Sequence, residues 1–190
     1  MTETYETETL DNTSIHLHIE SEISEGVLDV GCGLHPRGDV NVDLYIDSRH
    51  RRGRKGPNLE IDSIQNFVQA DAKHMYMFRD RQFDTVKCYH LIEHLPTPDC
   101  WKLLKELWRV TKRHLVIECP NRYWLKFPHL KRGINHVSNF DAATFEKAVP
   151  KLLGTWNFEV KNIYRGMFHK MIPFPNWPHL VRLDIWRNER

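Results

Sequence analysis

Two glycines and an acid surround the end of the first apolar run, the place where an α/β protein commonly binds its ligand. Gly31 and Gly33 flank Cys32 directly after Val27–Val30. Glycine at a strand end lets the main chain approach a ligand where a Cβ would collide with it. The Asp29 carboxylate, just before the turn, would either orient the loop or accept a hydrogen bond from a cationic amine. This pattern predicts a ligand-binding turn.

Two further acids follow the next two apolar runs. Asp43, with Leu44 beside it, ends the second run, where a carboxylate can accept hydrogen bonds from both hydroxyls of a ribose. Asp71, with Ala72 beside it, follows the third run, where an acid can accept from an adenine amino group. Aspartate is common in turns for local reasons. Three ligand groups at three successive strand ends nevertheless favour one shared ligand, because these ends meet at one edge of a parallel sheet.

Three histidines are candidates for proton transfer. His90 and His94 follow the fourth apolar run, and His136 follows the fifth. An unperturbed imidazole titrates near neutrality, which suits a general base, so we assign His90 and His136 to that role and His94 to substrate binding. A structural role for each histidine stays open. The order H-L-I-E-H differs from the zinc-peptidase order H-E-x-x-H, so we predict no metal ligand and interpret Glu93 as a carboxylate at a helix start.

The residues between the fifth run and the next helix are aromatic and basic. We expect residues 120–140 to form an insertion that builds the acceptor pocket, although a hydrophobic flap packed on the sheet would have the same composition. Its candidate wall residues are Arg122, Tyr123, Trp124, His129 and Lys131. A second basic segment, residues 49–55, could hold a phosphate-bearing substrate, but a solvated loop is the commoner role of such a run.

The elements that position these groups alternate between strands and helices. Strands are predicted at 27–30, 40–44, 67–70, 83–89, 115–119, 156–164 and 180–187. This alternation predicts an α/β fold with a mostly parallel sheet covered by helices on both faces.

Two helices are predicted from their caps and apolar spacing. The first has Thr97 as its N-cap, Pro98 at its first position, and an apolar face that continues to Val110. The second begins after Asp141 and reaches residue 153, with Pro150 expected to end or kink it.

Composition narrows the classes of protein that fit. The chain of 190 residues is 41% apolar and 27% charged, which suits one globular domain over 14–190 after a polar tail, 1–13, that we expect to be disordered. A net charge of +2 argues against a dedicated nucleic-acid binder. The four cysteines form no C-x-x-C pair, and no apolar run approaches a membrane span or a signal peptide. We therefore expect a cytoplasmic protein with reduced thiols and no membrane contact.

These motifs together resemble a known family. The segments 28–33, 69–72, 83–86 and 92–95, with Asp43, resemble the ordered motifs of class I S-adenosylmethionine-dependent methyltransferases, most of all the type 11 group. The likeness spans roughly 27–153. It implies a Rossmann-like sheet of about seven strands with the last one antiparallel, and S-adenosylmethionine as the cofactor. The residues expected to contact that cofactor are Asp29, Gly31, Cys32, Gly33, Asp43, Leu44, Asp71, Ala72 and His90.

The connection after the first strand departs from the usual pattern. Only residues 34–42 separate Gly33 from Asp43, and Pro36 stands where a third glycine is expected. A full crossover with its helix needs at least about 10–12 residues. The first helix must therefore be lost or cut to about one turn.

The resemblance implies transfer of a methyl group by in-line displacement, with a small molecule as the expected acceptor. Three alternatives stay open. The first is a methyltransferase of RNA or modified nucleotides that uses the basic segment 49–55. The second is a cofactor-binding regulatory subunit without turnover, which the shortened connection suggests. The third is a nicotinamide-dependent dehydrogenase, against which the missing third glycine argues. Nothing in the sequence indicates the oligomeric state.

Overall fold

A computed structural model of the protein describes residues 26–33, 35–44, 64–122, 136–164 and 178–188. The strands are β1 (Val27–Val30), β2 (Val40–Asp43), β3 (Phe67–Gln69), β4 (Phe83–Tyr89), β5 (Thr111–Pro120), β6 (Phe158–Ile163) and β7 (Leu180–Trp186). The helices are α1 (Thr97–Val110), α2 (Ala142–Leu153) and a single 3-10 turn, Ile92–His94. The predicted tail 1–13 and the basic segment 49–55 lie outside the described residues.

The seven strands form one sheet in the order β3-β2-β1-β4-β5-β7-β6. Strands β1 to β5 pair in parallel, and β7 runs antiparallel to both of its neighbours. The predicted sheet is therefore confirmed. The strand order reverses between β1 and β4, and in such sheets the ligand crevice opens outside the carboxyl ends of those two strands.

The core lies between the sheet and one helical layer. α1 buries Leu103, Leu104 and Leu107, while Phe140 and Phe145 stack on each other with ring centres 5.3 Å apart. α1 and α2 contact each other as well as the sheet, so both lie on the same face. The predicted helical cover of the second face stays a prediction, and residues 45–63, between β2 and β3, lie outside the described part. No helix of the described segments is long and apolar enough to cross a membrane.

The predicted start of α1 is wrong by one residue. Pro96, with extended backbone, is the N-cap, and its carbonyl accepts hydrogen bonds from the amides of Asp99 and Cys100. Thr97 is the first helical residue, and its hydroxyl lies 3.2 Å from the hydroxyl of Ser138. The threonine therefore tethers the helix to the later loop instead of capping it.

The predicted N-cap of α2, Asp141, is confirmed, but the helix does not end at Pro150. The Asp141 carboxylate accepts a hydrogen bond of 2.8 Å from the Thr144 amide. The helix continues through Pro150 to Leu153 because the proline lies in the last turn, where its missing donor costs a single intrahelical bond. Gly154, with φ of 64°, then ends the helix in the left-handed conformation.

The β1–β2 connection is short, as the sequence predicts, and side chains of the flanking strands hold it in place. No described residue between β1 and β2 is helical. The Asp29 carboxylate accepts a hydrogen bond of 2.8 Å from the Arg37 amide, and the Asp39 carboxylate accepts one of 2.7 Å from the Val27 amide. Both bonds tie the β2 end of the connection to β1 without a crossover helix.

Gly38 lies against the backbone of the neighbouring strands. A Cβ at this position would be 2.5 Å from the Val40 carbonyl oxygen and 2.7 Å from the Asp29 amide nitrogen. The buried Asn41 side chain accepts from the Gly38 amide and donates to the Gly38 carbonyl oxygen. Glycine is therefore required here by close packing.

A polar clamp holds the irregular segment between β3 and β4. Arg109 on α1 donates hydrogen bonds to the carbonyl oxygens of Met75 and Phe78, at 2.9 and 2.8 Å. Its guanidinium also donates to both carboxylate oxygens of Glu106, and Glu106 accepts from the Met75 amide at 2.8 Å. The clamp anchors the segment that begins with Asp71 to a rigid helix.

Candidate functional site

The glycine turn lies at the carboxyl end of β1, beside the reversal point of the sheet. Gly31 and Gly33 both have positive φ, at 75° and 52°, a conformation that favours glycine. The amides of Gly31 and Cys32 donate hydrogen bonds to the Val42 carbonyl oxygen, at 2.8 and 3.2 Å. These two amides are therefore used to pair the turn with β2. What the turn offers a ligand is its shape and its carbonyl groups.

The two glycines face different surroundings. A Cβ on Gly31 would lie 2.9 Å from Cβ and Cδ2 of Leu91, so this glycine makes room for a side chain of the β4 edge. A Cβ on Gly33 would have no described atom within 4 Å apart from its chain neighbours. At Gly31, Leu91 therefore occupies the room that the missing Cβ leaves, and the predicted contact of this glycine with a ligand stays a prediction. No described atom fills the space beside Gly33.

Asp43 is hydrogen-bonded to the glycine turn. The Gly33 amide donates a bond of 2.9 Å to Asp43 Oδ2. The carboxylate is partly exposed, and the half-exposed side chain of Leu44 follows it. A carboxylate and an apolar surface thus lie side by side at the end of β2.

The buried groups around the turn are supports for the backbone. Asp29 is buried, and its bond from the Arg37 amide fits the loop-orienting one of its two predicted roles. Burial raises the pKa of Asp29, while that hydrogen bond and the charge of Arg37 partly offset the effect. Burial also raises the pKa of the Cys32 thiol to about 12, so this thiol stays protonated at neutral pH.

Asp71 and Ala72 follow β3 at the same edge. Asp71 accepts a hydrogen bond of 3.0 Å from the Lys73 amide, and the Lys73 ammonium lies 3.5 Å from its carboxylate. That ammonium also donates to Asp99 on α1 at 3.1 Å, which ties the Asp71 turn to the helix. Parallel pairing of β1, β2 and β3 brings the three predicted strand ends to one edge.

Three histidines and a glutamate meet where β4 ends. His90 Nδ1 lies 3.4 Å from Glu93 Oε1, and His94 Nε2 lies 4.0 Å from the same oxygen. The rings of His94 and His136 meet edge to face with centres 5.1 Å apart. The structure thus brings together the histidines that the sequence singles out.

His90 has a strained backbone. Its φ is 56°, in the left-handed region that non-glycine residues rarely occupy, and its amide donates 2.9 Å to the Glu118 carbonyl oxygen. This bond to β5 holds the residue in place. The imidazole is about half exposed and stays next to the Glu93 carboxylate.

Glu93 occupies a position that the sequence does not predict. It lies in the 3-10 turn, as the interpretation of a helix-start carboxylate implies, but its side chain is only 1% exposed. Neither carboxylate oxygen has a hydrogen-bond partner within the described segments, and the same holds for Nδ1 of His136. Burial lowers the pKa of His136, although the Glu93 charge opposes this, so the imidazole is neutral at neutral pH.

The predicted acceptor pocket is described only in part. Arg122 donates to the Asp141 carboxylate at 3.1 Å and so joins the start of the insertion to the cap of α2. Tyr123, Trp124, His129 and Lys131 lie outside the described residues. The pairing gives Arg122 a structural role at the base of the insertion, and its predicted contact with substrate stays untested.

Residues 39–117 match a family profile, the methyltransferase domain of type 11. This match begins at the β1–β2 connection and ends in β5, so it covers the ends of β2, β3 and β4. The protein is a methyltransferase that uses S-adenosylmethionine as its cofactor. The dehydrogenase alternative is thereby set aside.

Solved structures share the fold at low sequence identity. A SAM-dependent methyltransferase from Archaeoglobus fulgidus is 18% identical over 90% of both chains, with a TM-score of 0.63. A possible histamine N-methyltransferase from Thermotoga maritima is 14% identical over 93% of this chain and 89% of that one, with a TM-score of 0.59. The small RNA methyltransferase HEN1 is 16% identical and matches this whole chain with 27% of its own, at a TM-score of 0.55. No curated protein matches the sequence.

The residues at this edge fit the cofactor of the family. The open space beside Gly33 adjoins the Asp43 carboxylate, and an adenosyl group needs both a close approach to the backbone and an acceptor for its ribose hydroxyls. The exposed part of Leu44 offers an apolar surface for a purine ring. The described residues at this edge are therefore compatible with an adenosyl group despite the short first connection.

Several supports of the site have no signal in the sequence. Leu91 packs against the glycine turn, the Arg37 guanidinium lies 4.9 Å from the centre of the Tyr89 ring, and Ser138 donates 2.7 Å to the Leu95 carbonyl oxygen. These contacts depend on the fold. The signal that the sequence does contain is the H-L-I-E-H segment, in which a glutamate lies between two histidines.

Proposed function

We propose that this methyltransferase holds S-adenosylmethionine across the ends of β1, β2 and β3 and transfers its methyl group to a small-molecule acceptor. The observation that carries the proposal is the hydrogen bond from the Gly33 amide to Asp43 Oδ2. It fixes a carboxylate beside open space at the edge where sheets of this kind bind nucleosides. The acceptor would enter between this edge and the histidines that follow β4.

Each group at this edge would have a separate task. Asp43 would accept from the ribose hydroxyls, and Asp71 with Ala72 would contact the adenine ring. The glycine turn, including Cys32, would border the methionine part of the cofactor. Asp29 would support this turn through its hydrogen bond with the Arg37 amide. His90 would lie nearest to the transferred group. The contacts proposed here follow from the position of each residue on its strand end.

When bound, the cofactor supplies a methyl group on a sulfonium, which is an electrophile with a good leaving group. The protein therefore accelerates the reaction mainly by alignment and by excluding water. A general base is needed only where the acceptor loses a proton. His90 and His136 are the candidates for that proton, and His94 with Arg122 and the described start of the insertion would border the acceptor.

The cofactor part of the proposal is tested by calorimetry with S-adenosylhomocysteine. Asp43→Asn should weaken binding by about 1–3 kcal/mol, the cost of a hydrogen bond to a charged group. Asp39→Asn is the matched control, because Asp39 makes its bond at the other end of β1, to the Val27 amide. Equal affinity of the folded Asp43→Asn variant and the wild type would remove Asp43 from the site.

The acceptor part has two rivals. HEN1 is a small RNA methyltransferase, and the basic segment 49–55 could bind a phosphate backbone, so RNA is the second candidate acceptor. A salt-sensitive gel shift with RNA that Arg51→Ala and Arg52→Ala abolish would favour it. Cofactor binding without transfer to a pool of metabolites or RNA would favour a regulatory subunit. The four free, buried cysteines support our proposal of a reducing, cytoplasmic location.

A further inference from the structure

We propose that Glu93, His94 and His136 bind a divalent transition-metal ion. One nitrogen of each histidine and one carboxylate oxygen of Glu93 lie within 4.8 Å of one another. Donors that share an ion at about 2.0–2.2 Å lie roughly 3–4.3 Å apart, so small side-chain rotations suffice to close the site. This cluster adjoins the proposed methyl-transfer site, but metal binding itself can be tested without it.

The burial of the Glu93 carboxylate favours a cation as its partner. Its side chain is 1% exposed, and its two oxygens find no hydrogen-bond donor in the part of the chain that the structure describes. His90 Nδ1 and His94 Nε2, at 3.4 and 4.0 Å from Oε1, are too far or too poorly aligned to count as hydrogen bonds. A buried carboxylate without hydrogen bonds is costly unless it coordinates a metal or pairs closely with a cation. A histidine binds a metal through an unprotonated ring nitrogen. Nδ1 of His136 can serve as this ligand, because it is buried and has no hydrogen-bond partner among the described residues.

The backbone holds these ligands in a fixed arrangement. The Glu93 carbonyl oxygen accepts hydrogen bonds from the amides of Val137 and Ser138, at 2.9 and 3.1 Å. These two bonds place His136 directly beside the 3-10 turn that carries Glu93 and His94. Ser138 adds a bond of 2.7 Å from its hydroxyl to the Leu95 carbonyl oxygen. Ligands on two distant segments are thus locked together before any ion binds.

The donor set indicates the kind of ion. Two imidazole nitrogens with one carboxylate oxygen suit zinc, cobalt, manganese or iron, whereas magnesium and calcium prefer oxygen ligands alone. Three protein ligands leave coordination positions for water or for an oxygen of the acceptor. With His136 on the metal, His90 would be the remaining candidate for a general base.

The test uses the metal-free chain and Co²⁺, whose visible absorption reports its ligands. The wild type should bind one equivalent, and both Glu93→Gln and His136→Gln should weaken binding by more than about tenfold, the size of effect already seen for outer-shell partners. His114→Gln is the control, because His114 lies near the opposite end of β5, paired with Asp184. It should bind Co²⁺ like the wild type.

Thermal unfolding separates a metal ligand from a structural glutamate. Zn²⁺ or Mn²⁺ should raise the Tm of the wild type but not that of Glu93→Gln. Without metal, Glu93→Gln should be at least as stable as the wild type, since an amide avoids burying an unpaired charge. A purely structural glutamate would instead give a lower Tm and no metal dependence.

Three results would overturn the metal site. They are no binding of Co²⁺, Zn²⁺ or Mn²⁺ by the folded wild type, binding of Mg²⁺ alone, or unchanged binding in both His136→Gln and Glu93→Gln. If Glu93→Gln does not fold, the partly exposed His136 decides the question. Binding of S-adenosylhomocysteine is measured on the same samples. If the wild type binds this compound but no metal, only the metal site is refuted. If the folded wild type does not bind S-adenosylhomocysteine, the proposed function is refuted.

Discussion

The amide of Gly33 donates a hydrogen bond to the carboxylate of Asp43, with 2.9 Å between nitrogen and Oδ2. This bond links the end of β1 to the end of β2 across a connection that has no described helix. It fixes the direction of the carboxylate. A longer connection could do this with additional residues, whereas this short one uses a single hydrogen bond. The ends of the two strands therefore act as one rigid unit.

The open space beside Gly33 predicts a separation of stability from binding. Gly33→Ala should cost roughly 1–2 kcal/mol of unfolding free energy, because its φ of 52° is strained for alanine. Gly154→Ala, at φ of 64° and likewise with no described atom near the new Cβ, should cost the same. Only Gly33→Ala should weaken binding of S-adenosylhomocysteine, by about tenfold or more. Equal binding by the two variants would show that the space beside Gly33 is not used.

Contact with Leu91 predicts a larger loss of stability at Gly31. Gly31→Ala should cost roughly 2–4 kcal/mol in urea unfolding, from strain at φ of 75° and from overpacking against Leu91. Leu91→Ala removes two of the three closest atoms, Cγ and Cδ2, and should recover at least about 0.5 kcal/mol in the double variant. Strict additivity of the two changes would argue against this contact.

The Arg109 clamp predicts a large effect of one surface arginine on stability. Arg109→Ala should lower the free energy of unfolding by about 2–3 kcal/mol, because it removes the hydrogen bonds from the guanidinium to Glu106 and to the carbonyl oxygens of Met75 and Phe78. Lys102→Ala is the control, since the pair of Lys102 with Asp99 is exposed and should contribute less than about 1 kcal/mol. Similar losses in both variants would contradict the clamp.

Asp184 predicts how stability depends on pH. Burial raises its pKa, but hydrogen bonds from Arg182 at 2.8 Å and His114 at 2.9 Å outweigh this, so the net pKa is lowered. A lowered pKa stabilises the fold above the ordinary value of about 4, and this stabilisation is lost as the pH falls through the folded pKa. Urea unfolding from pH 7 to pH 3 should show a steeper acid loss in the wild type than in Asp184→Asn. Parallel curves would exclude this contribution.

The strands around the site could be predicted because their apolar runs end sharply. β1 and β4 have the predicted bounds, since a glycine follows the one and His90, at positive φ, follows the other. β5 begins four residues earlier than predicted, at Thr111, because α1 leads directly into it. The polar residues there pair with β4 at the sheet's end, and no local pattern marks them as a strand.

The meeting of Glu93 with His136 could not be predicted from local patterns. The two residues lie far apart in the chain, and backbone hydrogen bonds to Val137 and Ser138 bring them together. The local sequence around Glu93 is the same for an exposed carboxylate at a helix start and for a buried metal-binding carboxylate. Only the fold shows that the loop with His136 covers the glutamate. The roles of Asp43 and Asp71 could be proposed because strand ends converge by topology alone.

Gly38 limits how this protein can change over evolution. A side chain on Gly38 would collide with the β1 backbone, because there is no room for one additional carbon atom. We therefore expect no single substitution to be tolerated at this position. The Asn41 side chain holds the same residue through two hydrogen bonds. We therefore expect any lengthening of this connection to require changes at Gly38 and Asn41 together.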